Sequence, residues 1–298
     1  MEEQPFPELK LTPFDFLDDI TARSTCQKCG KSRKYYCYTC YKPTLDTQGK
    51  LPHVKLPIKV DIIKHPCEVT GKSTSGHAAV LAPDDVTVYT YPIIPDYPDP
   101  TKVVLVFPGE NSLTLEEYMR QYCEQTSNDV AGTCRVSEQS EERPTSAKTD
   151  PELSVALDEG SSHKRNISST GDTKDYQCMK RLKQLPKYKY RFERVVFIDS
   201  TWHQVNKISS DERLRGLQRI ELKSRETKFW RHQKDKPRTY LATIEAIYYF
   251  MCDYHELVTP TDYQGEYDDL LFLFCFMYQK IRHLFDGGKR LKAYNEQT

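Results

Sequence analysis

Two cysteine pairs, Cys26-Gln27-Lys28-Cys29 and Cys37-Tyr38-Thr39-Cys40, constrain this chain more than any other feature. Pairs of the C-x-x-C type separated by seven residues bring four thiolates within reach of one tetrahedral zinc ion. Gly30 and Pro43 suit the tight turns of such a knuckle. Four sulfur ligands leave no open coordination position, so the metal is expected to be structural and to help fold its segment. The alternatives are unliganded thiols or a redox pair. A redox C-x-x-C opens a helix in a thioredoxin-like unit, and no segment here reads that way.

The other cysteines are scattered, and no charged leader with an apolar core and a small-residue cleavage site precedes them. The longest apolar run, Leu270 to Tyr278, is too short to span a membrane. The expectation is a soluble intracellular protein with reduced thiols, no membrane partner and no obligate protein partner. A short basic run, His163-Lys164-Arg165, favours the nucleus over the cytoplasm. Lysine plus arginine equals aspartate plus glutamate at 43 each, so only local charge can argue for a nucleic-acid partner.

Along the chain, residues 1–25 form an N-terminal segment in which Phe14 to Ile20 suggests a short amphipathic helix, and the knuckle occupies 26–43. A catalytic domain is expected over 51–286. Ile58 to Ile63 and Val86 to Tyr91 read as strands from their β-branched residues. Val103 to Phe107 and Arg194 to Ile198 are continuous apolar runs of the kind buried on both faces of a parallel sheet. Arg219 to Leu222 reads as a short strand. Helices are expected from Leu113 to Cys123 behind Ser112, from Thr239 through Tyr254, and from Asp269 to Leu284. Residues 124–175 contain no Phe, Trp or Tyr and are crowded with Ser, Thr, Glu and Asp, the composition of a disordered acidic insertion. Strands alternating with helices imply an α/β domain.

Two nucleotide motifs fail. Gly71-Lys72-Ser73 looks like the end of a Walker A loop, but Pro66 stands where its first glycine must be. No Gly-rich turn follows any candidate strand, and the chain has only 12 glycines, so an ordinary Rossmann cofactor site is not expected. The informative constellation is Asp199-Ser200-Thr201-Trp202 at the carboxyl end of a buried strand, where open α/β sheets collect ligands. From position alone it can equally be a helix cap followed by a core aromatic.

Val196 to Trp202 resembles the D-x-T-W signature of the DTW-domain family, with serine in the variable position. His65-Pro66 through Glu68 to Ser73-Thr74, ending in Ala78-Ala79-Val80-Leu81, resembles the family's H-P-x-E followed by T-N-T-G, with Ser75-Gly76 replacing part of it. Ala242-Thr243-Ile244-Glu245-Ala246 is similar to its S-T-x-E-A stretch. The resemblance covers roughly Cys26 to Leu284. It implies an α/β fold with a SPOUT-like knotted sheet, helices on both faces, and the small N-terminal four-cysteine zinc knuckle. It also implies a knotted S-adenosylmethionine (SAM) site built from backbone loops, which agrees with the missing Gly-rich turn. Its residues would be Phe107, Pro108, Gly109, Leu222, Leu241, Thr243 and Glu245.

The reaction implied moves the 3-amino-3-carboxypropyl group of SAM to N3 of a tRNA uridine, in the D-loop, releasing methylthioadenosine. Asp199 would be the general base, Thr201 would orient Asp199 or a backbone loop, and Trp202 would stack on a base or anchor the turn. Glu245 has two readings, a partner for the SAM ammonium or a structural group inside the helix. The competing functions are a SPOUT-type RNA methyltransferase and a non-enzymatic zinc-knuckle adaptor for RNA. Two basic segments with interleaved aromatics, Lys180 to Arg194 and Lys223 to Arg238, flank the D-x-T-W turn and suit phosphates and unpaired bases. The candidate contacts are Lys187, Lys189, Arg191, Arg225, Lys228 and Arg231.

Overall fold

The computed structural model describes residues 4–121, 192–201, 204–231 and 237–286. Two ribbons form the knuckle: β1 (Ser24–Thr25) pairs with β2 (Ser32–Arg33), and β3 (Tyr36–Cys37) pairs with β4 (Lys42–Pro43), both antiparallel. Strands this short do not hold a ribbon by themselves. Each ribbon carries one cysteine pair across its turn, which is where a metal would close it.

The main sheet follows with β5 (Lys59–Lys64), helix α1 (Ser75–Leu81), β6 (Val86–Thr90), β7 (Val103–Val106) and β8 (Leu113–Thr114). Then come β9 (Arg194–Asp199), two short helices α2 (Val205–Ser209) and α3 (Glu212–Arg215), and β10 (Gln218–Glu221). Two longer helices end the described chain, α4 (Thr243–Val258) and α5 (Phe272–Asp286). The strand order is β6-β5-β9-β7-β10-β8, with every pairing parallel. The late strand β9 is inserted between β5 and β7, matching Ile62 with Phe197 and Leu105 with Val196.

Parallel strands must be covered on both sides, and these are. Val60, Ile62, Val195 and Phe197 join a large core with Ile244, Ile247, Phe250 and Tyr254 of α4. Ile63, Leu105 and Val196 face the other way, against Ile208 of α2 and Leu214 of α3. This is the expected mixed α/β sheet flanked by helices. The N-terminal segment is a short 3-10 turn at Asp15–Leu17 instead of the expected helix. Its Leu17 packs with Val80 and Leu81 of α1 and Phe272 and Phe276 of α5.

Helix starts also differ from expectation. Leu113–Thr114 pairs with β10, so helix begins at residue 115, and its cap is Thr114 in place of Ser112. The Thr114 hydroxyl accepts the Glu117 N–H at 3.2 Å while Glu117 accepts the Thr114 N–H at 2.8 Å, a reciprocal cap. α4 starts four residues beyond the expected Thr239, with Ala242 at its N-cap. The reason is the Glu245 carboxylate, which reaches back to the Ala242 N–H at 2.7 Å. The acidic insertion 124–175 lies outside the described residues.

His77 of α1 is buried, with no hydrogen-bond partner for Nδ1 and its ring edge-on to Tyr36 at 5.9 Å. Burial pushes its pKa down from 6.5 to about 4. Between those values the unfolded chain binds the proton that the folded chain excludes, so stability falls as pH drops through that window. A two-and-a-half-unit depression corresponds to about 3 kcal/mol at pH 4. Chemical denaturation of the wild type and His77→Phe at pH 7 and pH 4 should show that difference. Parallel losses in both proteins would contradict it.

Candidate active site

The carboxyl ends of β7, β9 and β10 open into a cavity of about 530 Å³, a volume suited to a small ligand. Its wall is made by Phe107-Pro108 after β7, Ile198 and Ser200 around the end of β9, and Leu222 to Ser224 after β10. Thr239 to Leu241 and Thr243, leading into α4, complete it. Phe107, Pro108, Leu222, Leu241 and Thr243 of the expected SAM residues therefore share one surface. Gly109 does not line it and lies against the Arg219 side chain.

Asp199 ends β9 with its side chain on the face of α1 and α4, 4% exposed. Each carboxylate oxygen accepts one hydroxyl: Thr243 donates to Oδ1 at 2.8 Å and Ser73 to Oδ2 at 2.6 Å. Ser73 is held in turn by Ser75, whose N–H donates to its Oγ at 3.1 Å and whose hydroxyl lies 2.6 Å away. Thr74 accepts the Ile244 N–H at 3.2 Å, and the His65 N–H donates to the Asp199 carbonyl at 2.9 Å. The H-P-x-E segment, the D-x-T-W turn and the start of α4 thus converge on one carboxylate at the cavity rim. Thr201 is exposed and gives Asp199 no hydrogen bond, so the expected orienting role belongs to Ser73 and Thr243. Trp202 lies outside the described residues.

Glu245 resolves between its two readings. It is fully buried, accepts the Thr227 hydroxyl at 2.6 Å, the Lys228 N–H at 2.7 Å and the Ala242 N–H at 2.7 Å, and does not line the cavity. Burial raises its pKa, and these donors pull it back down. It fastens the basic loop 223–231 to α4, the structural of its two readings. Arg225 is likewise corrected as an RNA contact. Its guanidinium makes a two-pronged pair with Asp253 of α4 and lies over the Tyr249 ring at 4.5 Å. Lys228 stays exposed and Arg231 sits over Phe229 at 5.8 Å. Lys187, Lys189 and Arg191 lie outside the described residues.

Residues 34–282 match the DTW domain. The chain belongs to the DTW-domain family. Among curated relatives, the protein named tRNA-uridine aminocarboxypropyltransferase 1 of Xenopus tropicalis is 48% identical over 87% of this chain and 79% of its own length. Its namesakes in Mus musculus and Homo sapiens are 43% and 41% identical, each over 97% of this chain and 88% and 87% of their own lengths. No solved structure matches.

In this DTW chain the knuckle is packed against the site. Its four sulfurs lie within 4.8 Å of one another, and Cys29 and Cys37 are 3.6 Å apart. A tetrahedral ion with bonds of about 2.3 Å needs sulfurs about 3.8 Å apart, so the four thiols fit zinc. Burial raises the Cys37 pKa, but the Thr39 and Cys40 N–H groups and Arg33 outweigh it and bring it down to about 6, while burial and the neighbouring Cys29 and Cys37 thiols push Cys40 up to about 12. Tyr36 leans on α1, where a side chain at Gly76 would meet its ring at 3.2 Å. Tyr41, in a left-handed turn at φ 54°, donates its N–H to the Cys37 carbonyl. Burial, then the Asp199 charge, pushes the Tyr41 hydroxyl up to about 12, which puts the knuckle within electrostatic reach of Asp199.

Lys64 is another residue absent from the sequence-derived site. It pairs in register with Asp199 and buries its side chain, donating to Thr70 at 3.1 Å. A cation ending a buried strand was the available signal. Ser73 had one too, since it falls in the stretch similar to T-N-T-G that follows H-P-x-E; Tyr41 and Thr227 had none, because their partners are distant in sequence.

Glu245→Ala should orphan two backbone N–H groups and one hydroxyl, costing about 3 kcal/mol in thermal melts and exposing residues 223–231 to limited proteolysis. An unchanged melting temperature would refute the anchoring role. Separately, metal analysis should find one zinc per chain, and chelation or Cys37→Ser should lower the melting temperature. A chain that folds equally well without metal would refute a structural zinc.

Proposed function

We propose that this chain transfers the 3-amino-3-carboxypropyl group of SAM to N3 of a tRNA uridine, releasing methylthioadenosine. The observation that carries the reading is the Asp199–Ser73–Thr243 junction on the rim of a cavity of about 530 Å³, in a DTW chain whose relatives bear that activity in their names.

SAM would lie among Phe107, Pro108, Leu222, Leu241 and Thr243, held by backbone loops in place of a Gly-rich turn. A knotted SPOUT-like sheet is part of this proposal, supported by a cavity walled by three separate loop segments at strand carboxyl ends. The sulfonium is already a good leaving group, so the protein's contribution is mainly alignment of N3 with the γ-carbon. Asp199 serves that alignment by fixing the loop before α1 and the start of α4 together. Lys228 and Arg231, on the loop that continues from the cavity wall at Leu222 to Ser224, would meet tRNA phosphates or unpaired bases. The zinc of Cys26, Cys29, Cys37 and Cys40 would be structural. We also propose the limits 26–43 for the knuckle and 51–286 for the catalytic domain, a D-loop uridine as target, and a nuclear location. Among the described residues no helix is long and apolar enough to cross a membrane.

The test combines purified protein, SAM and unmodified tRNA transcript, with nucleosides and small products read by mass spectrometry. Aminocarboxypropyl-uridine with methylthioadenosine is expected, and Asp199→Ala should abolish both. A methylated base with S-adenosylhomocysteine would make the chain a methyltransferase. No product from folded, zinc-loaded protein on any tRNA would favour the adaptor.

A further inference from the structure

The reaction proposed above must remove the uridine N3 proton, and two carboxylates are candidates, Asp199 at the end of β9 and Glu68 on the loop bonded to it. Asp199 is poorly placed for it: each oxygen already accepts a hydroxyl, and the side chain is 4% exposed. Glu68 differs on both counts. It lies four residues beyond β5, on a turn closed by its own N–H donating to the His65 carbonyl at 3.0 Å. It is half-buried, and its carboxylate accepts no hydrogen bond among the described residues. The next turn of that loop leads to Ser73, so the loop carrying Glu68 is hydrogen-bonded to Asp199 at both ends, through the His65 N–H and the Ser73 hydroxyl.

We infer that Glu68 is the catalytic carboxylate that accepts the uridine N3 proton, and that Asp199 is the positioning residue which holds its loop. The inference rests on the aminocarboxypropyl reading. In the step, the N3–H bond breaks and its proton passes to a Glu68 oxygen. The nitrogen lone pair forms a bond to the γ-carbon of SAM. The carbon–sulfur bond breaks, and its electron pair stays on sulfur as neutral methylthioadenosine. Glu68 then returns its proton to water, so atoms and charge balance without another reactant.

The surroundings of Glu68 suit a base. Burial raises its pKa above the ordinary glutamate value of 4.5, and the Asp199 charge on β9 raises it further. Lys64 on β5, Arg231 on the basic loop and Lys72 on its own loop act in the opposite sense and keep it ionisable. A carboxylate raised in this way is a stronger base than an exposed one.

The test is single-turnover transfer at saturating SAM and tRNA across a pH series, for wild type, Glu68→Gln, Glu68→Asp and Asp199→Asn. Product identity is read by mass spectrometry, and SAM and tRNA affinities are measured separately. Glu68→Gln should slow transfer on the order of a hundredfold or more, with both affinities within about threefold of wild type. The wild-type rate should rise with pH through a limb above 4.5. That limb should vanish in Glu68→Gln, persist in Asp199→Asn, and return with part of the rate in Glu68→Asp. A Glu68→Gln rate within threefold of wild type would overturn the inference. So would a loss confined to affinity, or a limb that disappears in Asp199→Asn while surviving in Glu68→Gln. Wild-type protein that makes no aminocarboxypropyl-uridine would remove the reading and the inference together, an outcome visible before any variant is compared.

Discussion

The Asp199 carboxylate is the point on which the rim of the cavity depends. A buried carboxylate is costly unless its oxygens are supplied with donors, and here the donors come from segments far apart in the chain. Ser73 precedes α1 and Thr243 opens α4, so satisfying one acid brings two loops to fixed positions at the end of β9. Those loops have no ladder of their own at the carboxyl ends of a parallel sheet. The bond from the Ile244 N–H to Thr74 ties the same two segments together beside Asp199.

The same device recurs around it. Glu245 secures the basic loop through Thr227 and Lys228, and Asp253 secures it again through Arg225. Asp268, at the start of the last helical segment, accepts the Lys10 N–H at 2.7 Å and the hydroxyls of Tyr248 and Tyr263. Asp269 accepts both the Thr12 N–H and its hydroxyl. The N-terminal segment is thereby tied to the far end of the chain, and its Phe6 packs beside Tyr248, Tyr249 and Phe274. Acidic side chains aimed at backbone donors take the place of secondary structure where the chain has none.

The knuckle gains a second significance from its packing. Its ribbons are too short to persist without closure, yet they place Tyr36 against α1 and Tyr41 near Asp199. A metal bound there would stabilise an outlying module and, through those contacts, the loop that carries Glu68 and Ser73. The knuckle and the site are therefore mechanically continuous, although none of its four cysteines lines the cavity.

Much of this was legible in the residues themselves. The central strands announce themselves as continuous apolar runs, because a parallel strand is buried on both faces. The cysteine spacing names a four-sulfur site, because ligand geometry restricts it. The D-x-T-W turn and the stretch around Thr243 mark the rim. What local pattern does not contain is the partner of each polar side chain. Glu245 looks the same in sequence whether it faces a ligand or caps its own helix, and Arg225 looks the same whether it meets phosphate or Asp253. Ser73 and Asp199 are separated by 126 positions, and nothing periodic links them. Propensity and spacing act over a turn or a strand and so determined the elements and the metal site. Which groups share a buried corner was decided by the insertion of β9 between β5 and β7, since only the folded sheet brings their ends together.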